Sequence, residues 1–229
     1  MNANLYIVIG AFGSGKSEYS IHLARKFNDA GQDVVLADMD VVNPYFRSRD
    51  VREDFAEIGI NVIAPEGEFK HADLPMISPR IKGAIENYDK TVILDVGGDP
   101  AGCRTLGRFV DVINKRGYQM LYVVNTSRPF TSTVDEIITM KQNLEFTSKL
   151  KISDFICNTN LMQYTTVTLV EEGIAIIRQA AQLSDAVFNT YLVLNAYEAI
   201  IPDGLCGLQR EVMHYTLKKP WETLVAKGI

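Results

Sequence analysis

Cysteine is scarce in this chain. Cys103, Cys157 and Cys206 are the only three in 229 residues. An odd and scattered set makes no disulfide framework, and without a Cys-x-x-Cys pair the usual zinc and iron–sulfur spacings are missing. A reducing, cytoplasmic setting is expected. Long apolar runs are absent too: nothing approaches the roughly 18 residues that a membrane helix needs. The opening MNANLYIVIG has no basic region, and its apolar run extends only from Leu5 to Ile9, so it does not read as a signal peptide. Positive charge is in short supply, with 23 Lys+Arg against 28 Asp+Glu, a net charge of −5. With no dense Lys/Arg run, bulk binding to nucleic acid or anionic lipid is not expected. Prolines, glycines and serines nowhere gather into a linker, so the chain reads as one domain, 1–229. A hydrophobic fraction of 47% with 22% charged residues excludes a disordered chain.

What is present is alternation. Short apolar runs at Leu5–Ile9, Asp33–Ala37, Asn61–Ala64, Thr91–Asp95, Met120–Asn125, Asp154–Asn158 and Tyr191–Asn195 read as strands. Most are apolar on both sides of the pleat, the pattern of parallel strands covered on both faces. Helix-length segments lie between them, at Lys16–Ala30, Ser48–Ile58, Ile77–Asn87, Thr105–Lys115, Thr133–Lys149 and Thr166–Leu183. The fold class is therefore α/β, three layers, with a mostly parallel sheet of about seven strands flanked by helices. In the tail, Arg210–Leu217 reads as extended and Trp221–Ala226 as helical.

The first strand runs into Gly10, Ala11, Phe12, Gly13, Ser14, Gly15, Lys16 and Ser17, which match G-x-x-x-x-G-K-[ST], the Walker A pattern. Glycines let the backbone turn tightly so that successive N–H groups point inward, and the following helix adds the positive end of its dipole. Lys16 supplies a cation for the β- and γ-phosphates, and the Ser17 hydroxyl is a hard oxygen suited to Mg²⁺. The dinucleotide pattern G-x-G-x-x-G fails, because a run started at Gly13 and Gly15 meets Glu18 where the third glycine belongs.

Carboxylates end two of the strands. Asp95 closes Thr91–Asp95 and is followed by Gly97 and Gly98, a D-x-x-G run whose backbone can approach a γ-phosphate. Asp38 and Asp40 lie at i and i+2 after the second strand, on one side of an extended chain. Beside a triphosphate, one can orient or deprotonate water and the other can tune Mg²⁺.

With these residues in view, the sequence resembles the P-loop NTPases of the SIMIBI class, the group of MinD, ParA, the nitrogenase iron protein and CobQ/CobB. The resemblance rests on Gly10–Ser17, Asp38-x-Asp40, Asp95-x-x-Gly98, a strand-end Asn158 and Ile201-Pro202-Asp203. It implies that Asp40 activates water, that Asp38 associates with Mg²⁺, and that Asp95 and Gly98 belong to a second switch. It also implies that Asn158 reads the base while Pro202 and Asp203 form the other wall of the purine pocket. Asn160 competes with Asn158 for the base, since the two alternate along one extended segment. MinD and ParA proteins carry a signature lysine at the second loop position; here that residue is Ala11. A nucleotide-bridged homodimer is thus an expectation of the resemblance alone.

The remaining polar residues are weighed singly. Arg128, in Asn125-Thr-Ser-Arg128-Pro129, lies within reach of a phosphate or a partner; the plainer reading, a loop leading into a Thr133-x-x-Glu136 capping box, is preferred. His71 and Arg80 flank prolines in a stretch that reads as surface or as an effector loop. Tyr45, Phe46 and Arg47 read equally as a partner-binding edge or as loop packing, and His22 reads as structural. The function expected is an Mg²⁺-dependent, ATP-binding and ATP-hydrolysing switch whose ordered loops are sensed by a protein partner. The alternatives are a small-molecule kinase or ATP-dependent ligase on the same core, a GTP-dependent metallochaperone, or a nucleotide-sensing module with vestigial hydrolysis.

Overall fold

Eight strands, each short and rich in Val, Ile, Leu or Tyr over its buried part, form a single sheet. They are β1 (Leu5–Ile9), β2 (Val34–Met39), β3 (Asn61–Ile63), β4 (Thr91–Val96), β5 (Gln119–Val124), β6 (Asp154–Cys157), β7 (Val187–Leu194) and β8 (Gln209–Met213). The computed structural model describes residues 4–40, 51–64, 78–98 and 100–217. Strand order is β3-β2-β4-β1-β5-β6-β7-β8, and every pairing is parallel.

The helices are α1 (Lys16–Asp29), α2 (Arg52–Glu57), α3 (Arg80–Glu86), α4 (Pro100–Cys103), α5 (Val110–Arg116), α6 (Val134–Ser148) and α7 (Val167–Leu183). They divide between the two faces by the pleat. Leu5, Ile7 and Ile9 of β1 pack with Ile81 and Ile85 of α3, Ile113 of α5, Ile137 and Leu144 of α6, and Ile174 and Ile177 of α7. Val8, Leu36, Ile93 and Val123 point the other way, onto Tyr19, Leu23 and Ala24 of α1 and Phe55 of α2. Each of these fully buried aliphatic side chains contributes about 1.5–3 kcal/mol of transfer free energy, which holds the three layers together.

Three differences from the sequence reading have local causes. The expected helix Thr105–Lys115 is broken into a 3₁₀ turn over Arg104–Arg108 and then α5, with Phe109 at φ −120°, ψ 2° between them. Gly107 sits in the broken stretch and weakens α-helix there. β7 begins four residues before Tyr191, because Val187 to Thr190 alternate between exposed and half-buried rather than running apolar. The eighth strand, which raises the count from about seven, is the polar Gln209–Met213. It falls on the stretch expected to be extended, Arg210–Leu217, and covers its first part, and its charged side chains on an outer strand discourage further pairing. Residues 41–50, 65–77, 99 and 218–229 lie outside the described set, and with them Tyr45, Phe46, Arg47, His71 and the Trp221–Ala226 expectation.

At the N-terminal ends of the strands, Arg116 draws several elements together. Its guanidinium donates to the carbonyls of Ala84, Ile85 and Asn87 at the end of α3 at 3.1, 2.8 and 2.9 Å, and to Asn4 O just before β1 at 3.1 Å. It also donates to Lys90 O, just before β4.

Candidate functional site

The C-terminal ends of β1, β2, β4, β5 and β6 meet at one rim, and the sequence order of the strands reverses around β4, β1 and β5. Open α/β sheets bind ligands at that kind of crevice. The Gly10–Ser17 loop follows β1 directly and ends where α1 starts. Gly13 and Gly15 adopt φ +76° and +91°, conformations that side chains disfavour, and Gly15 is the N-cap of α1. A Cβ on Gly15 would also strike the Asn158 amide nitrogen at 2.2 Å. The turn is closed by Ser14 N donating to Ala11 O at 3.1 Å.

Lys16 is almost wholly buried, and its Nζ lies 3.3 Å from Asp40 Oδ2. A buried ammonium needs such a partner. Asp38 Oδ1 accepts from Asp40 N at 3.0 Å. Asp38 is in register with Asp95 across β2 and β4, and both follow the pleat to the α1 face. Ser20, one turn beyond Lys16, donates to Lys16 O at 2.9 Å and lies 3.3 Å from Asp95 Oδ1. Asp95 Oδ2 is buried without a hydrogen-bond partner among the described residues. Burial pushes the Asp95 carboxyl up to about 7; Lys16 and the Ser17 hydroxyl oppose this, while Asp38 and Asp40 add to it.

Gly98 is fixed by proximity: a Cβ there would lie 2.7 Å from Gly10 O and 3.0 Å from Phe12 N. The backbone after β4 therefore rests directly on the phosphate loop.

A cavity of about 610 Å³ opens over the loop. Lys16, Ser17, Gly13 and Gly15 line it. Leu194, Met213, Tyr215 and Leu217 add an apolar part to the lining, and Asn158, Asn160 and Gln163 add a polar one. Its size suits a nucleotide-sized ligand. Phe12 stands 68% exposed at the mouth. Asn158 donates from Nδ2 to Ser14 O at 2.7 Å, tying β6 to the loop, and Asn160 Nδ2 donates to Asn158 O at 2.8 Å. The two asparagines thus form one ladder along the cavity wall.

Pro202 and Asp203 are not brought to this cavity. Pro202 O accepts from Tyr191 OH, and Asp203 Oδ1 accepts from Gly204 N and Arg210 N at 2.8 and 3.3 Å. Those bonds pin the segment to the connection between β7 and β8.

Sequence reading did not single out Glu18 and its partners, whereas His22, expected to be structural, is so. Glu18, buried in the first turn of α1, accepts from Thr216 N at 3.1 Å and from Leu217 N at 2.6 Å. His22 Nε2 and Lys26 Nζ, on the same helix, lie 2.9 and 2.6 Å from Glu211 Oε1 of β8. The helix after the phosphate loop thereby holds the last described strand and the segment beyond it. No local pattern signals contacts across nearly 200 positions. Ser20 was within reach of inspection, four residues after Lys16 on the same helical face.

The donor set fits a hard cation. Ser17 and Asp95 offer oxygens, one of them an unpartnered buried carboxylate oxygen. Among the described residues no group of three or more His, Cys, Asp or Glu side chains could hold a metal unaided. Mg²⁺ needs no such cage, because it keeps waters and takes phosphate oxygens.

No protein-family model and no curated protein matches the chain. Solved structures do. FtsY, a cell-division protein of Thermotoga maritima, superposes with a TM-score of 0.57 at 20% identity, covering 82% of this chain and 61% of that one. Chloroplast FtsY of Physcomitrella patens gives 0.56 at 15%, covering 82% and 57%. Signal Recognition Particle 54 kDa protein of Aeropyrum pernix, in complex with GDP, gives 0.53 at 17%, covering 82% and 41%. The fold is the one these structures share, a parallel sheet flanked by helices on both faces. The chain spans about three-fifths or less of the length of these proteins. At such identities the likeness is one of fold, and it does not establish the narrower MinD, ParA and CobQ/CobB group. Among the described residues no helix is long and apolar enough to cross a membrane.

Proposed function

We propose that this protein binds and hydrolyses a nucleoside triphosphate with Mg²⁺, ATP in preference to GTP, and serves as a nucleotide-driven switch. The observation that carries the reading is the cavity, lined by the glycine-rich loop with Lys16 and Ser17 and by the apolar side chains of Leu194, Met213, Tyr215 and Leu217. The loop amides and Lys16 bind the phosphates, and the wall of Leu194, Met213, Tyr215 and Leu217 takes the base. Guanine recognition calls for a carboxylate acceptor facing its N–H groups. Glu18 is the only acid among the described lining residues, and Thr216 and Leu217 already occupy it. An asparagine amide suits adenine, which presents both a donor and an acceptor; Asn158 is already engaged by Ser14 O and by Asn160 Nδ2, so the two asparagines act as one bonded pair.

Ser17 and Asp95, with Asp38 beside them, would hold Mg²⁺, which supplies positive charge to the phosphate oxygens when bound. Asp40 orients the attacking water and accepts its proton. Phosphate competes with Asp40 for Lys16, so nucleotide binding loosens that ion pair. The backbone at Gly98 rests against the loop and so senses the terminal phosphate, the displacement a protein partner would read. A single domain, the cytoplasm as its location and a nucleotide-bridged homodimer belong to the same proposal.

Titration calorimetry with Mg-ATP and Mg-GTP tests the reading. Wild type is expected to bind ATP more tightly, Lys16→Ala to lose measurable binding, and Asp40→Ala to bind but turn over slowly. Undiminished ATP affinity in Lys16→Ala would overturn the assignment.

A further inference from the structure

Arg128 stands apart from the other cations of the site. Of the described residues lining the cavity, only Lys16 and Arg128 are cationic, and Lys16 already faces Asp40 at 3.3 Å. Arg128 lies over the phosphate loop itself. A Cβ placed on Gly13 would find Arg128 Nε at 3.4 Å, Cδ at 3.6 Å and Cζ at 3.8 Å. Gly13 is one of the two positive-φ glycines of the loop, three positions before Lys16. No hydrogen bond or ion pair engages the guanidinium among the described residues, whereas Arg116 and Arg210 spend theirs on carbonyls.

The turn that carries Arg128 is built rather than loose. Asn125, wholly buried at the end of β5, accepts from Arg128 N through its carbonyl at 3.1 Å and from Ser127 N through Oδ1 at 2.9 Å. Thr131 Oγ1, buried as well, donates to Asn125 O at 2.9 Å. Asn125 Nδ2 donates onward to Asn160 O at 3.2 Å, so the turn is fixed to the wall where the base is placed. A long cation held by such a frame loses less freedom on meeting an anion than one on a flexible loop. A guanidinium also presents a planar fork of donors that fits phosphate oxygens in pairs.

We propose that Arg128 contacts the terminal phosphate of the bound nucleoside triphosphate, as an arginine supplied in the same chain; this rests on the nucleotide reading above. In hydrolysis the water oxygen bonds to the terminal phosphorus while the bond to the bridging oxygen breaks. The diphosphate leaves with the electron pair, and the water's proton passes through Asp40 to the released phosphate. Negative charge gathers on the bridging and terminal oxygens during that change, and a guanidinium over Gly13 stabilises it.

The test uses the full chain with Mg²⁺, ADP and a non-hydrolysable ATP analogue, in wild type, Arg128→Ala and Arg128→Lys. Arg128 is exposed, and matching thermal melts confirm intact variants. Wild type is expected to prefer the triphosphate. Arg128→Ala should lose about tenfold or more of its affinity for the analogue, with ADP affinity within about twofold. Single-turnover hydrolysis should fall by roughly a hundredfold or more, and Arg128→Lys should recover only part of it. Equal losses for ADP and the analogue, or no loss for either, overturn the assignment. If wild type binds both nucleotides and Arg128→Ala matches it, only the role of Arg128 falls. If wild type binds neither, the nucleotide reading falls first and this inference with it.

Discussion

Asp95 is the most confined charge of the site. It is fully buried at the end of β4, in register with Asp38, and its carboxyl is pushed up to about 7 from an ordinary 3.8, chiefly by burial. The native protein therefore holds a proton that the unfolded chain has already released between about pH 4 and 7. With more protons bound in the native state than in the unfolded one, stability falls as pH rises through that window. The penalty is absent below the unfolded pKa and complete above the folded one. Without metal, Asp95→Asn is thus expected to flatten the pH dependence and to be more stable than wild type at pH 8. Urea midpoints at pH 5 and pH 8 check this; equal slopes for the two proteins would show that Asp95 ionises freely. Added Mg²⁺ and nucleotide should reverse the ranking, because the amide offers the cation a poorer oxygen than the carboxylate.

The elements divide into those a short stretch of sequence determines and those that distant contacts determine. β1, the phosphate loop and α1 are legible because the loop's chemistry demands a strand before it and a helix after it, and Gly13 and Gly15 take the backbone angles that demand requires. The capping box of α6 is equally local: Thr133 Oγ1 accepts from Glu136 N at 3.3 Å and Glu136 Oε2 from Thr133 N at 3.2 Å. Arg116 is the opposite case. Nothing in its neighbourhood foretells that it will satisfy carbonyls of α3 together with those leading into β1 and β4. Arg116→Ala removes their common donor and is expected to destabilise the fold by about 2–3 kcal/mol. Arg116→Lys should rescue little, since an ammonium cannot spread over so many acceptors. Chemical denaturation of both variants decides it, and a cost within about 0.5 kcal/mol, ordinary for surface substitutions, would refute the stapling role.

Across the whole molecule, the first helix is bound to the last described residues. Glu18 in α1 receives Thr216 N and Leu217 N, and Glu211 in β8 receives Lys26, with His22 alongside. Burial raises the Glu18 carboxyl, and the backbone N–H groups of Leu217 and Thr216 draw it back. Their carboxylate partner also lines the cavity, together with Tyr215 and Leu217. Glu18→Ala leaves those amides without it, so a loss of about 1–3 kcal/mol in stability is expected, together with several-fold weaker ATP binding. Calorimetry on the variant at a temperature where it remains folded separates the two effects, and unchanged affinity would show that Met213, Tyr215 and Leu217 do not shape the base end. This closure explains why the site was only half legible. The glycine-rich loop is written in eight consecutive residues. The rest of the cavity lining joins Asn158 and Asn160 with side chains some fifty positions later, and Arg128 reaches the loop only through a turn whose hub, Asn125, looks like any strand-end asparagine.

Because all eight strands point the same way, the molecule has a ceiling and a floor. The cavity opens at the ceiling, while Arg116 knots the floor about a strand's length away, roughly 17–20 Å. Heat sensitivity can therefore be introduced below without blunting the grip above: an Arg116 variant should be a conditional allele, fully competent when cool and lost when warmed.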